Sequence, residues 1–200
     1  MPTFKNLSDL EQFVASCQLC GLRQQATQVV FGEGAPASAI VFCGEGPGAD
    51  EDRLGRPFVG KAGQLLDQML EATGFSRSKN AYILNVVKCR PPLNRTPSED
   101  ERATCRPHLE AQLALIQPKI IVFLGSSAAK TFLGEEARIT RLRGTWQRLP
   151  SGIWAMATYH PAALLRNPVW KVDAWKDLKK VIDKYRELVD PDHLAPAYPG

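Results

Sequence analysis

Residues Ala39-Ile40-Val41-Phe42-Cys43 form an unbroken apolar run that stops at Gly44 and passes into Glu45-Gly46-Pro47-Gly48. An apolar run without alternation, ended by glycine, reads as a strand buried on both faces. Outward from it the pattern repeats. From Lys61 onward, Ala62, Leu65, Leu66, Met69 and Leu70 recur at helical spacing, and Gly74 is a stop signal. Tyr82 to Val87 reads as a second strand, with Pro91-Pro92 forcing extended or turn structure after it. Ser98-Glu99-Asp100-Glu101 is a capping box opening a helix that can run to Pro118. Lys119 to Leu124 is a third strand, turned by Gly125-Ser126-Ser127 into a short helix through Phe132. Ile153 to Ala157 is a fourth, and Trp175, Leu178, Ile182, Tyr185 and Val189 mark one face of a last helix. Ser8-Asp9-Leu10-Glu11 also has capping-box spacing and predicts a short helix leading to Cys17. Strands alternating with helices predict an α/β protein, a three-layer α/β/α arrangement around a central, mostly parallel, four-stranded sheet.

Two hundred residues with 44% hydrophobic content suit one domain, expected over residues 1–189. The tail at 190–200, with three prolines and little apolar content, is expected to be poorly ordered. No run approaches the roughly 20 apolar residues of a membrane span, and the first residues lack an apolar leader. A cytoplasmic protein without membrane contact is therefore expected, and it is expected to be a monomer. A net charge of +4 permits a polyanionic partner without demanding one.

In an open parallel sheet, ligands bind at the carboxyl ends of the strands. Gly44 to Asp52, Asn85 and His160 all fall there. Cys17-Gln18-Leu19-Cys20 puts two sulfurs in one turn, and Cys89 and Cys105 can add two more. Zinc and a [4Fe-4S] cluster both accept four cysteines. The long interval between Cys89 and Cys105 leans toward the cluster, and free buried thiols are the plain alternative. Cys43, inside a strand, reads as core. Gly44-x-Gly46-x-x-Ala49 formally matches a dinucleotide fingerprint, but Pro47 removes a donor, Asp50-Glu51-Asp52 puts negative charge where pyrophosphate would lie, and the long helix starts near Lys61.

The stretch from Gly44 to Gly63, Gly-Glu-Gly-Pro-Gly-Ala-Asp-Glu-Asp-Arg-Leu-Gly-Arg-Pro-Phe-Val-Gly-Lys-Ala-Gly, closely resembles the first active-site motif of family 4 uracil-DNA glycosylases. Asn85-Val86-Val87-Lys88-Cys89-Arg90-Pro91-Pro92 resembles that family's uracil-reading strand, and His160-Pro161-Ala162-Ala163-Leu164-Leu165-Arg166-Asn167-Pro168 resembles its second motif. The resemblance covers about residues 13–187. It implies a monofunctional enzyme that releases uracil from single- or double-stranded DNA, a [4Fe-4S] cofactor, and Cys17, Cys20, Cys89 and Cys105 as its ligands.

A glycosylase must take uracil from the stack and help it leave as an anion. Phe58 can stack on the base, a contact worth about 1–3 kcal/mol. The Asn85 amide can accept from N3–H and donate to O4, whereas cytosine presents the opposite pattern. His160 can donate to O2, where charge accumulates. Glu45 is expected to orient water or stabilise the positive sugar. Other uracil glycosylases carry a water-activating aspartate where this chain has Gly46, whose backbone N–H is left to contact O2. Glu51 or the Gly48 backbone could exclude the thymine methyl, and Asp50, Glu51 and Asp52 could instead form a solvated turn. Leu164 or Leu165 could wedge into DNA, with Arg166 on a phosphate. Arg138, Arg141, Arg143 and Arg148, around Gly144-Thr145-Trp146, could form a backbone footprint, Arg143 foremost. His108 and His193 have weaker claims. A related group that becomes covalently trapped on the sugar uses a histidine in a basic insertion, and Arg90 to Thr104 contains none. A DNA-binding protein that keeps the fold without turnover is the rival from another class.

Overall fold

The structure, a computed structural model, describes residues 2–198. Along the chain it forms α1 (Leu7–Ala15), α2 (Gly21–Gln25), β1 (Glu33–Gly34), β2 (Ile40–Gly44), α3 (Ala49–Leu54), α4 (Lys61–Ala72), β3 (Ala81–Asn85) and α5 (Glu99–Ile116). It continues with β4 (Ile120–Leu124), α6 (Ser126–Leu133), α7 (Ile139–Leu142), β5 (Trp146–Arg148), β6 (Trp154–Thr158), α8 (Pro161–Arg166) and α9 (Lys171–Leu188). Short 3-10 turns stand at Pro92–Asn94 and Pro168–Trp170.

The sheet order is β1-β3-β2-β4-β6-β5. The four inner strands are the four read from the sequence, and they pair in parallel. Among the described residues the sheet has six strands rather than four, because β1 and β5 add antiparallel edges. Two- and three-residue strands are too short to show a period. Alternate residues of the inner strands face opposite layers. Val41, Cys43, Leu84, Ile121 and Phe123 pack with Leu109 and Leu113 of α5 and Ala128 of α6, while Ile40, Phe42, Ile83, Ile120 and Val122 pack with Leu66 and Leu70 of α4 and Ile182 of α9. Each such side chain contributes roughly 1.5–3 kcal/mol of burial, and double coverage is why the runs are continuously apolar.

The capping box at Ser98 forms as expected: its Oγ accepts from Glu101 N (3.2 Å), and Glu101 accepts from Ser98 N (2.8 Å). At α1 the cap is Asn6, whose Oδ1 accepts from Asp9 N, so Ser8 lies inside the helix. The tail differs most from expectation. The His193 ring stacks on Phe75 with its Nε2 donating to Thr73 O (2.9 Å), Ala197 N donates to Ala72 O, and Ala195 is buried. Residues 190–198 thus dock on the end of α4, through side chains too sparse for composition to reveal; Pro199 and Gly200 lie outside the described residues. Among the described residues no helix is long and apolar enough to cross a membrane.

Candidate active site

The connection from β2 runs to β3 and the one from β4 runs the other way, toward β5 and β6, so the crevice at the carboxyl ends of β2 and β4 is the expected ligand position. A cleft of about 810 Å³ opens there, lined among others by Glu45, Gly46, Phe58, Asn85 and His160. Gly44 and Asn85 are register partners at the strand ends. A β-carbon on Gly44 would overlap both Asn85 Oδ1 and the Phe58 ring, so glycine keeps open the space these side chains border. Asn85 is buried and its Oδ1 has no protein partner. A buried acceptor without a partner costs about 1–3 kcal/mol, which a ligand N–H would recover.

Phe58 is buried and takes left-handed backbone, φ 52°, a strain of order 1–3 kcal/mol that persists only when neighbours impose it. Arg77 imposes it from one side, donating to Pro57 O (2.8 Å) and Phe58 O (3.0 Å) while paired with Asp67. Glu51 does so from the other: one carboxylate accepts from Gly48 N, Val59 N and Gly60 N (3.1, 2.8 and 2.9 Å). Asp52 is buried too, accepting from Thr27 N and Oγ1. The acidic run is therefore the first turn of α3 and an anchor, not a solvated turn. Glu51 holds the loop with both oxygens while it also lines the cleft. A short helix does begin at Ala49, with three carboxylates in its first turn, and that charge still opposes pyrophosphate.

His160 is the N-cap of α8, with Pro161 opening the helix. Its Nδ1 accepts from Ala162 N (3.1 Å), so the proton of the neutral ring sits on Nε2, on the other side of the imidazole. The ring stacks on Phe58, centroids 5.5 Å apart. It keeps some surface toward the cleft yet is closely enclosed by protein, and burial, helped by the charge of Arg166 and opposed by Glu51, pushes its pKa down to about 4. A neutral Nε2–H donor is the form suited to a developing anion.

Glu45 lines the cleft half-buried, and desolvation raises its pKa. The Ser127 hydroxyl and the Arg102 charge work against that rise. Ser127 lies near enough to favour the anion, although its geometry falls short of a hydrogen bond. Arg102 is buried and paired with Glu135. At Gly46 a β-carbon would come 2.8 Å from Val87 Cγ2, so a side chain there requires Val87 to shift.

Cys17, Cys20, Cys89 and Cys105 line one small cavity with His108 and Lys88. None of the four cysteines is in a disulfide, and Cys17 Sγ lies 3.3 Å from His108 Nε2. Burial first, then the neighbouring Cys105, Cys20 and Cys17, pushes the Cys89 thiol up to about 12. Among the described residues no three such side chains converge as ligands of a single ion; the cysteines instead ring the cavity. Lys88 is fully buried beside them, its Nζ donating to Asn85 O (2.7 Å). Sequence reasoning missed Lys88 and Arg77: Lys88 holds a carbonyl, and the carbonyls and carboxylates that Arg77 holds lie ten or more residues away, so neither carries a local signal.

Beyond the pocket, two expectations change. Leu164 is buried against Tyr159 and Ala174, which takes it out of reach of DNA, while Leu165 is 43% exposed on α8 beside exposed Arg166. Arg143 is turned inward: its fork grips buried Asp177 (2.8 and 3.1 Å), which also accepts from Thr158 Oγ1 (2.7 Å) at the end of β6. It buttresses the strand that presents His160 instead of facing DNA. Arg148 sits over Trp154 at the opposite end of β6 from the cleft.

Residues 31–179 match the model of the uracil DNA glycosylase superfamily. The chain is 46% identical to a type-4 uracil-DNA glycosylase of Sulfurisphaera tokodaii over 88% of its length and 83% of that protein. It is 48% identical to one of Thermotoga maritima over 77% and 80%. A type-5 enzyme of Thermus thermophilus is 32% identical over 64% and 67%. With the cleft, its buried asparagine and the neutral histidine in the order the motifs require, the chain belongs to the uracil-DNA glycosylase superfamily and, within it, to the type-4 uracil-DNA glycosylases.

Proposed function

We propose that the protein hydrolyses the N-glycosidic bond of deoxyuridine in single- or double-stranded DNA, releasing uracil and leaving an abasic site, with water and not a side-chain amine as nucleophile. The observation that carries the mechanism is the His160 ring, neutral and with its proton on Nε2, across from an unpartnered Asn85 Oδ1. Phe58 stacks the extruded base, and Asn85 accepts from N3–H and donates to O4. As the C1′–N1 bond breaks, the electron pair moves into the uracil ring and His160 Nε2–H stabilises the charge at O2. Ionised Glu45 stabilises the cationic sugar and orients the water that adds to C1′, and the proton this water loses passes to the Glu45 carboxylate and from there to solvent. The departing uracil anion then takes up a proton from solvent.

The test is a uracil-containing oligonucleotide incubated with protein and then treated with alkali. Scission should appear only after alkali, and none above a thymine control would remove the reading. A protein–DNA adduct on a denaturing gel would point instead to trapping. Burial raises the Glu45 pKa above its ordinary 4.5, so on acidification the ionised, active form is lost before the His160 ring takes up a proton. His160, at about 4, stays neutral through that window. Glu45→Gln should lower the rate by about 10²-fold and shift the acid limb down to that of His160. An unchanged limb would remove Glu45 from the mechanism.

Cys17, Cys20, Cys89 and Cys105 would hold a [4Fe-4S] cluster, a reading supported by four thiols around one cavity and by their mutual effect on thiol acidity. Bound there, it would supply iron–thiolate bonds that tie the α1–α2 turn, the exit of β3 and α5 together. Anaerobically purified protein should be brown, with a broad visible absorbance that Cys89→Ala abolishes. A colourless, zinc-loaded protein would overturn it.

A further inference from the structure

The loop from Pro91 to Pro97 forms one rim of the cleft, contributing Pro91, Asn94, Arg95 and Thr96 to its lining. At its apex Leu93 is 96% exposed. A single exposed leucine is ordinary on a protein surface; the backbone beneath this one is not. Leu93 and Asn94 both adopt left-handed conformations, φ 53° and 55°; asparagine takes this region readily, whereas for leucine it costs about 1–2 kcal/mol. Glycine would make the same turn without strain.

The loop is also held stiffly. Arg90 Nε donates to Asn94 Oδ1 (2.8 Å), and Asn94 N and Arg95 N donate back to Pro91 O and Pro92 O. The Arg95 fork grips Glu101 (2.7 and 2.8 Å), which is itself the capping residue of α5. With Arg95 neutralised, the apex offers an apolar side chain rather than a charge.

Leu93 leaves from the end of β3 and Leu165 from beyond the end of β6, and β2 and β4 lie between those strands. The two exposed leucines therefore stand on opposite rims of the base pocket. We infer that Leu93 is a second wedge, pressing into the base stack of duplex DNA on the side of the extruded nucleotide opposite Leu165. The inference rests on the cleft being the uracil pocket. Its partner is the stacked bases beside the lesion: unstacking them costs a few kcal/mol per step, and inserted apolar side chains offset that cost. Single-stranded DNA has no paired stack to open, so the second wedge matters only on duplex.

Leu93→Gly removes the side chain and relieves the strain together, so its Tm should equal or exceed that of the wild type. Uracil release from duplex should nevertheless fall about tenfold, with release from single strands within about twofold of wild type. Leu93→Met, which keeps apolar reach, should restore most of the duplex rate. Wild-type rates on both substrates for Leu93→Gly, or an equal loss on both, would overturn the wedge while leaving the glycosylase reading intact. Wild-type protein that releases uracil from neither substrate overturns both.

Discussion

Asn85→Ala should lower kcat/KM for uracil excision by about 10³-fold while leaving the fold unchanged. Uracil N3–H and O4 would each lose a partner inside a closed site, at about 1–3 kcal/mol apiece, roughly 4 kcal/mol together. The truncation removes no contact on which β3 depends, because the Asn85 carbonyl, not its amide, holds Lys88. Steady-state kinetics on a uracil oligonucleotide, with circular dichroism as the control, measure it. A loss under tenfold would show that Asn85 does not read the base. His160→Ala measured beside it should cost less, since it removes one donor and leaves the base-reading edge intact.

Gly44→Ala should be at least as damaging, for a different reason. The added methyl would occupy the gap between Asn85 Oδ1 and the Phe58 ring, so the base is excluded rather than poorly held. Overpacking of this kind costs about 1–3 kcal/mol, a fall in Tm of roughly 3–10 °C for a domain of this size. Excision should drop about 10³-fold or more at a temperature where the variant is folded. Wild-type turnover in folded Gly44→Ala would mean that uracil does not enter between these residues.

The inner sheet was legible because burial on both faces makes β2, β3, β4 and β6 continuously apolar, and Asn85 and His160 could be placed by their position at strand ends. What escaped was either too short or too distant. The edge strands have two and three residues, and α3 has a carboxylate, Asp52, as its buried residue in place of an apolar stripe. Arg77 reaches back 19 residues to the Phe58 carbonyl, and Arg143 reaches 34 forward to Asp177. Neither separation has a sequence signature. Leu164 and Leu165 are neighbours of one type, and only the rotation of α8 decides that the first is core and the second faces solvent. The tail shows the same limit: a histidine over Phe75, a buried alanine and a backbone bond to Ala72 dock it, and none of the three makes a sequence pattern.

A single carboxylate, Glu51, fastens the two ends of the loop from Gly48 to Gly60. The receptacle is in consequence assembled before any nucleic acid arrives, and little ordering entropy opposes capture. A mould that does not reshape itself can only accept or refuse what the helix presents. The pace of inspection then passes from the enzyme to the substrate: how often a nucleotide swings clear of its neighbours sets how soon a lesion is noticed.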